Sequence, residues 1–348
     1  MSDLETSMPP VQYADVNGVR MAYYEVGPRG VGTPVVFCHG FPELAYSWRH
    51  QLKAMEAAGR WAIAPDQRGY GLTVGPADVE AYDMEHLTAD LVGLLDHVGA
   101  QKAVWCGHDW GGIVVWQMPL HYPDRTAGVI GLNTPFMRRG PADPIAIMRA
   151  RLGEEMYIVH FQKPGEADAI LGADARKSMN FFMRRPMPAS TPSGDNALAA
   201  ISGEGSKGFA TERKPGDPSV FPLVRMVEAY SAEFDPRPKF LTDAEFDVFA
   251  ETFQRTGFTG GINWYRNFTR NWERSANLPN AVSGVPTLMV MAEMDAVLPP
   301  SAADGMEAYV EGLEKKLVTG SGHWTQQEEP EQTNAILLEW MDAKFLKA

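Results

Sequence analysis

The stretch that decides the fold is Ala103–Gly112, which reads AVWCGHDWGG. Its apolar start is typical of a strand buried on both faces of a sheet, and the strand runs into a glycine-rich turn. A helical pattern follows over residues 113–121 and ends before Pro123. The sequence therefore predicts a sharp strand-to-helix turn that holds its central residue, Asp109, in a strained conformation above the edge of a sheet.

Short apolar runs of the same kind occur elsewhere in the chain, each ended by glycine, proline or a polar residue. They predict strands at 12–16, 19–26, 35–38, 61–64, 103–106, 129–132, 286–292 and 316–319. Helices are predicted after the cap Asp83 as far as Gly99, near 301–313 and over about 331–345. The first two strands flank Asn17-Gly18 and predict a hairpin, so the sheet should be mostly parallel with one antiparallel edge.

The pattern changes between the two strand-rich parts of the chain. Residues 136–280 lack buried-strand runs and are rich in aromatic and helix-like segments, and residues 186–222 predict a long loop. The simplest arrangement is one sheet domain, formed by residues 1–135 and 282–348, with a mostly helical lid inserted at 136–281.

Composition excludes several functional classes. A net charge of −13 and a pI near 5.1 disfavour nucleic acid and anionic membranes as partners. The two cysteines, Cys38 and Cys106, have no metal-site spacing and are predicted to be buried thiols. The start of the chain does not resemble a signal peptide, and no apolar run approaches the ~20 residues of a membrane span. We expect a cytoplasmic protein.

The side chain at the centre of the turn indicates the chemistry. A serine there would attack carbonyl carbon, whereas the carboxylate of Asp109 suits displacement at an sp³ carbon and leaves an alkyl ester. Water would then attack the carboxyl carbon of Asp109 and release an alcohol. The alternative is a tight turn with a capping Asp, but strand, turn and helix all occur in the expected order.

Two further residues follow the late strands and complete a catalytic set. His323 follows the last strand, and Asp295 follows the strand before it, 28 residues earlier. His323 is predicted to take a proton from water, for which an ordinary pKa near 6.5 is suitable. Asp295 would accept the other ring N–H and fix the tautomer. Glu293 is a weaker candidate for that role, and Asn133 occupies the alternative position after an earlier strand.

The intermediate on Asp109 carries a negative oxygen, which needs donors. The backbone N–H groups of Phe41 and Trp110 are predicted to supply this oxyanion hole. Pro42 has no N–H and can only shape the loop, and a cis bond before it is compatible with the sequence. A plain strand-ending turn is the alternative reading.

The chain resembles the soluble epoxide hydrolases of the α/β-hydrolase superfamily. The resemblance rests on residues 39–43 (HGFPE), 47–49 (SWR), 66–71 (DQRGYG), 107–112 (GHDWGG) and 322–324 (GHW), and it spans nearly the whole chain. It implies the α/β-hydrolase fold, a mostly parallel central sheet flanked by helices with a mostly helical lid. Most of these motifs also occur in haloalkane dehalogenases, so they indicate the Asp nucleophile more than the substrate.

The lid separates these two families. Residues 157–165 (YIVHFQKPG) and 260–267 (GGINWYRN) resemble the lid-tyrosine motifs of epoxide hydrolases, which implies that Tyr157 and Tyr265 bind the epoxide oxygen and supply its proton. A tyrosine of pKa near 10 is still protonated at neutral pH. By the same resemblance an apolar pocket is lined by Phe41, Trp110, Val297, Leu298 and Trp324.

The resemblance therefore implies hydrolysis of an apolar epoxide to a vicinal diol, with water as the other reactant and without cofactor or metal. A haloalkane dehalogenase is the alternative, weakened because Phe41 replaces the Asn often found in that family. A silent ligand receptor on the same fold is a third, although a receptor need not keep Asp109, Asp295 and His323 together. The natural epoxide, the attacked carbon, the enantiomer and the choice between monomer and homodimer remain open.

Overall fold

One twisted sheet organises the protein. In the computed structural model, which describes residues 8–187 and 220–345, eight strands form it: β1 (Gln12–Val16), β2 (Val19–Val26), β3 (Val35–Cys38), β4 (Ala62–Pro65), β5 (Ala103–His108), β6 (Thr126–Leu132), β7 (Thr287–Ala292) and β8 (Leu313–Val318). Their order is β1-β2-β4-β3-β5-β6-β7-β8. β2 runs antiparallel to both of its neighbours, and all other pairs are parallel.

The predicted fold class is confirmed, and the strand limits differ in detail. The hairpin and β3 have the predicted bounds, whereas β6 and β8 each begin three residues earlier than predicted. β5 continues beyond Cys106 to His108, so the residue before Asp109 still pairs in the sheet. The polar or small residues that suggested earlier strand ends are tolerated because neighbouring strands satisfy their backbone groups.

Helices cover the sheet. Those of the sheet domain are α1 (Arg49–Ala57), α2 (Met84–Val98), α3 (Trp110–His121), a short turn α12 (Thr325–Glu328) and α13 (Pro330–Lys344), while α4–α11 belong to the lid described below. The side chain of Asp83 accepts from the His86 N–H, and Gly99 ends α2 in the left-handed conformation, as predicted. α3 begins at Trp110, directly after the turn at Asp109.

The predicted crossover helix near residues 301–313 is wrong. That connection contains only two short 3₁₀ segments, Pro300–Ala303 and Met306–Ala308. Asp304 between them is extended and Gly305 adopts a φ of +75°, which interrupts any continuous helix. The connection still crosses from β7 to β8 and carries His323 to the same sheet edge as Asp295.

A helical lid lies between β6 and β7 in the chain. Its described helices are α4 (Pro144–Leu152), α5 (Tyr157–His160), α6 (Glu166–Ala173), α7 (Ala175–Phe182), α8 (Leu223–Ala229), α9 (Asp243–Thr256), α10 (Thr259–Arg266) and α11 (Phe268–Arg274). The limits 136–281 for this unit stay a prediction. Most of the loop predicted at 186–222 lies outside the described residues.

Both faces of the sheet are covered by apolar side chains. Along β5, Trp105 faces one cluster together with Cys38, whereas Val104 and Cys106 face the other. The two thiols are therefore buried and free, on opposite faces of the sheet. Because β5 is buried along its whole length, the turn that follows it is held on a rigid element. None of the helices in the described ranges is long and apolar enough to cross a membrane.

Candidate active site

The turn after β5 holds Asp109 in a strained conformation, with φ +52° and ψ −121°. Small neighbours make this possible. A Cβ on Gly107 would lie 2.2 Å from the Gly111 carbonyl oxygen, and a Cβ on Gly111 would lie 2.0 Å from the Cys38 carbonyl oxygen. The predicted requirement for small residues on both sides of Asp109 thus has a direct steric cause.

His323 and Asp295 lie beside Asp109 at the carboxyl edge of the sheet. His323 Nδ1 is 2.9 Å from Asp295 Oδ2, and His323 Nε2 faces Asp109 Oδ2 at 3.8 Å. Asp295 Oδ1 accepts from the backbone N–H groups of Val297 and Leu298, at 2.8 and 3.0 Å. With Nδ1 donating to Asp295, Nε2 is the ring nitrogen available to a water near Asp109.

The charges of this cluster depend on each other. Burial would lower the pKa of His323, but the carboxylates of Asp295 and Asp109 outweigh it and raise that pKa to about 9. Burial disfavours the charge of Asp295, yet the His323 ring and the hydrogen bonds hold its pKa well below the usual range. Burial also raises the pKa of Asp109, although His323 and His108 oppose that shift. The resting histidine therefore differs from the ordinary imidazole expected from the sequence.

The predicted oxyanion donors lie at Asp109, the predicted nucleophile. The Phe41 N–H donates to Asp109 Oδ1 at 2.7 Å, and the Trp110 N–H also acts to lower the pKa of the carboxylate. The Phe41–Pro42 peptide bond is cis. The two carboxylate oxygens are thus distinct, since Oδ1 meets the Phe41 N–H and Oδ2 faces His323.

The lid brings both predicted tyrosines to this site. Tyr157 begins α5 and Tyr265 lies in α10, with ring centroids 5.8 Å apart. Gln162 ties the two segments together by donating to the Tyr265 carbonyl at 2.9 Å. Burial, followed by the negative charge of Asp109, raises the pKa of both hydroxyls, so both remain protonated well above neutral pH.

A cavity of about 710 Å³ opens above the carboxylate. Three of the five predicted pocket residues, Phe41, Val297 and Trp324, line it. Trp110 and Leu298 instead line a separate cavity of about 20 Å³. The rest of the wall is formed largely by aromatic, methionine and arginine side chains: Phe181, Phe182, Met187, Phe221, Met226, Met294, Arg184, Arg185 and Arg237.

Three polar residues of the site have no predicted role in the sequence reasoning. Asn133 occupies the alternative position for the acid, and it donates to Asp295 Oδ2 at 2.7 Å. Glu43 and His108 form a fully buried pair, with Glu43 Oε1 2.5 Å from His108 Nδ1. His108 Nε2 lies 2.7 Å from the His323 carbonyl oxygen. Both ring nitrogens of His108 thus face hydrogen-bond acceptors.

The weaker acid candidate is not paired with the histidine. Glu293 accepts from the Gly320 N–H at 2.8 Å, and the ring of His323 pairs with Asp295. Within the described ranges, no group of three or more His, Cys, Asp or Glu side chains is arranged to hold a metal ion. The polar groups that line the cavity include the Asp109 carboxylate, His323 and two phenols, which can support nucleophilic and acid–base chemistry.

Comparison with known proteins agrees with this arrangement. Residues 33–330 match the family described as alpha/beta hydrolase fold. The strand-to-helix turn and the residues that meet above it are those that this fold presents at the edge of its sheet. The protein is thus an α/β-hydrolase by fold and by site.

Its relatives narrow the class. The chain is 43% identical to epoxide hydrolase A of Mycobacterium tuberculosis, over 97% of this chain and 99% of that protein. It is 35% identical to the bifunctional epoxide hydrolase 2 of Mus musculus, over 94% of this chain but 54% of the mouse protein. The crystal structure of epoxide hydrolase A from Mycobacterium thermoresistibile superposes with a TM-score of 0.79 at 41% identity, covering 96% of this chain and 98% of that one. The chain belongs to the epoxide hydrolases of the α/β-hydrolase family.

Proposed function

We propose that this protein hydrolyses apolar epoxides to vicinal diols through an ester on Asp109. The observation that carries the proposal is that two protonated lid tyrosines share one largely apolar cavity with a carboxylate backed by His323 and Asp295. Water is the only other reactant that this chemistry needs. We expect the activity in the cytoplasm, as the sequence predicts.

In the first step, Asp109 Oδ2 attacks a ring carbon of the epoxide. A carbon–oxygen ester bond forms, and the ring carbon–oxygen bond breaks with its electron pair going to the epoxide oxygen. Tyr157 or Tyr265 gives that oxygen a proton and becomes a tyrosinate. Oδ2 is the oxygen assigned to attack because Oδ1 is already engaged by the Phe41 N–H at 2.7 Å.

Once the ester has removed the charge of Asp109, His323 releases its proton to solvent. In the second step, neutral His323 Nε2 takes a proton from water as the water oxygen bonds to the carboxyl carbon of Asp109. The negative charge collects on Oδ1, where the N–H groups of Phe41 and Trp110 stabilise it. The bond from this carbon to Oδ2 then breaks, and the departing diol takes the proton from His323. The acid proton left on Asp109 returns to the tyrosinate, and His323 regains its proton from solvent, so the enzyme returns to its resting state.

The first test is product analysis with purified protein. Styrene oxide and 1-bromobutane are supplied in parallel to the wild type and to the Tyr157→Phe/Tyr265→Phe double variant. We expect a diol from the epoxide, strongly reduced in the double variant, and no bromide. Bromide release without diol would replace the proposal with a haloalkane dehalogenase, and release of neither product would contradict both activities for these substrates.

A single turnover in ¹⁸O-labelled water tests the ester directly. If water attacks the carboxyl carbon, the label enters Asp109, and the first diol carries the enzyme's own oxygen. Mass spectrometry of the diol and of the peptide that contains Asp109 distinguishes the two destinations. Label in the diol after one turnover, with none in the peptide, would contradict covalent catalysis.

A further inference from the structure

The space around Asp109 is strongly asymmetric. The large cavity holds about 710 Å³, whereas the cavity that also touches Trp110 and Leu298, here called the small cavity, holds about 20 Å³. Among the described residues, these two cavities have in common Asp109, Tyr157, Tyr265 and Val297. An epoxide held between Asp109 and the tyrosines therefore meets a roomy side and a cramped side.

The small cavity limits what can occupy the cramped side. A volume of 10–15 Å³ is roughly what one water molecule needs, and a methyl group has a similar size. A cavity of about 20 Å³ therefore has room for a hydrogen atom or a methyl group on an epoxide carbon, but not for an ethyl or longer chain. Close packing around it leaves little room for adjustment.

A third cavity, here called the rear cavity, lies beyond the small one and holds about 120 Å³. Three side chains line both of these cavities and form the wall between them: Trp110, Ile113 and Phe268. Trp110 belongs to the turn at Asp109, and Phe268 is the larger of the other two side chains. The ring centroid of Phe268 lies 5.0 Å from that of Trp110. Removing the Phe268 ring would join the small and rear cavities.

We propose that the natural substrate is an epoxide with one large apolar substituent and at most a methyl group on its other carbon, and that Phe268 sets this limit. The inference rests on the proposed epoxide hydrolysis. The large substituent lies in the 710 Å³ cavity, and the small end faces Phe268 and Ile113. Phe268 acts here on substrate size and takes no part in either chemical step.

Isomers of one epoxide provide the test, because their atomic composition is constant while the epoxide ring moves along the carbon chain of the substrate. The wild type is assayed on 1,2-epoxyoctane and on trans-2,3-, trans-3,4- and trans-4,5-epoxyoctane. A single methylene that a pocket cannot accept costs roughly 10–200-fold in kcat/KM. We expect the first two isomers to be hydrolysed efficiently, and the 3,4- and 4,5-isomers to fall by at least about tenfold.

Variants of the wall then test its identity. Phe268→Ala should raise kcat/KM on 4,5-epoxyoctane relative to 1,2-epoxyoctane by about tenfold or more, and Ile113→Ala should shift the same ratio in the same direction. Phe246→Ala is the matched control because Phe246 is also a partly buried phenylalanine of the lid and lines none of the three cavities described here. It should leave the isomer ratio unchanged. Thermal melting checks that each variant is folded.

The outcomes are distinct. Equal kcat/KM on all four isomers in the wild type would overturn the size limit while leaving epoxide hydrolysis intact. An unchanged ratio in both folded wall variants would overturn the role of Phe268. If no isomer is hydrolysed and styrene oxide is also inert, the proposed function itself fails. Diol from styrene oxide with no turnover of 1,2-epoxyoctane would overturn only the assignment of a long apolar substituent.

Discussion

The sheet and the lid hold their halves of the site by different forces. On the sheet side, hydrogen bonds fix the polar groups, as when Asp295 accepts from two backbone N–H groups, from Asn133 and from His323. On the lid side, Tyr265 is held mainly by aromatic rings, with centroids at 5.0 Å for Phe161 and 5.3 Å for Phe41. Hydrogen bonds set charge and direction, whereas apolar packing sets shape. The sheet is thus suited to fix the charged groups of the site, and the lid to shape the cavity and to place its two phenols.

The largest expected effect separates the two steps on the sheet side. In His323→Gln, ester hydrolysis should fall by about 10⁴-fold or more because the base is lost, while ester formation continues. Intact-mass measurement should then show one equivalent of substrate bound to the protein. Asp109→Asn is the control and should bind none, because it lacks the carboxylate that forms the ester. It must be freshly prepared, since its Asn can revert slowly to Asp by hydrolysis. Normal turnover in His323→Gln would contradict the assigned role.

The lid side should act on the other step. Tyr157→Phe/Tyr265→Phe should slow ester formation by about 10²–10⁴-fold, because no phenol remains to protonate the epoxide oxygen. The measurement is single-turnover kinetics in a His323→Gln background, where the ester accumulates. Each single variant should show a smaller decrease in the rate of ester formation, since the other hydroxyl remains. Slower ester hydrolysis with unchanged ester formation would contradict the assignment of the lid tyrosines to the first step.

Asn133 tests how far hydrogen bonds hold the sheet side. Its side chain donates to Asp295 from a backbone of φ +60°, a conformation that Asn and Gly tolerate better than Ala. Removing the donor in Asn133→Gly should lower the free energy of unfolding by about 1.5–3 kcal/mol. Asn133→Ala should lose about 1 kcal/mol more through backbone strain. Urea unfolding measures both, and wild-type stability in both variants would show that the hydrogen bond contributes nothing.

The smallest predicted effect is on pH dependence. In the resting enzyme the pKa of His323 is raised to about 9 by the charges of Asp295 and Asp109, and ester formation removes the second of these charges. The pKa of His323 in the ester should therefore lie below 9, and raising the pH from 7 to 9 should convert the remaining imidazolium to imidazole and speed up ester hydrolysis by up to roughly tenfold. Ester formation should change much less, because burial and Asp109 raise the pKa of both lid tyrosines above 10. Equal pH profiles for the two steps would contradict this assignment.

Much of this arrangement follows from local sequence. Asp109, Asp295 and His323 each come directly after a predicted strand, and parallel strands present their carboxyl ends at one edge, so their proximity could be predicted. The hairpin and the cap at Asp83 rest on equally local signals. The tyrosines differ, since only the resemblance of their motifs to a known family indicated that two lid segments meet above Asp109.

The rest depends on tertiary structure. The pKa of His323 is set by two carboxylates and by burial, and neither the distances nor the burial can be read from the chain. The pairing of Glu43 with His108 joins residues 65 positions apart. Trp110 and Leu298 were expected in the main pocket but line the small cavity, because side-chain direction decides which cavity a residue faces. Residues 301–313 are numerous enough for a crossover helix, but the extended Asp304 and the positive φ of Gly305 interrupt it.

The 3.8 Å approach of His323 Nε2 to Asp109 Oδ2 has a consequence for timing. The charge of Asp109 helps to hold the histidine in its protonated form, and in the proposed cycle this charge disappears as soon as the ester forms. Loss of the charge lowers the affinity of His323 for its proton at the moment when a base is required. Ester formation thus prepares His323 to act as a base, so that water is deprotonated only after a substrate is attached to Asp109.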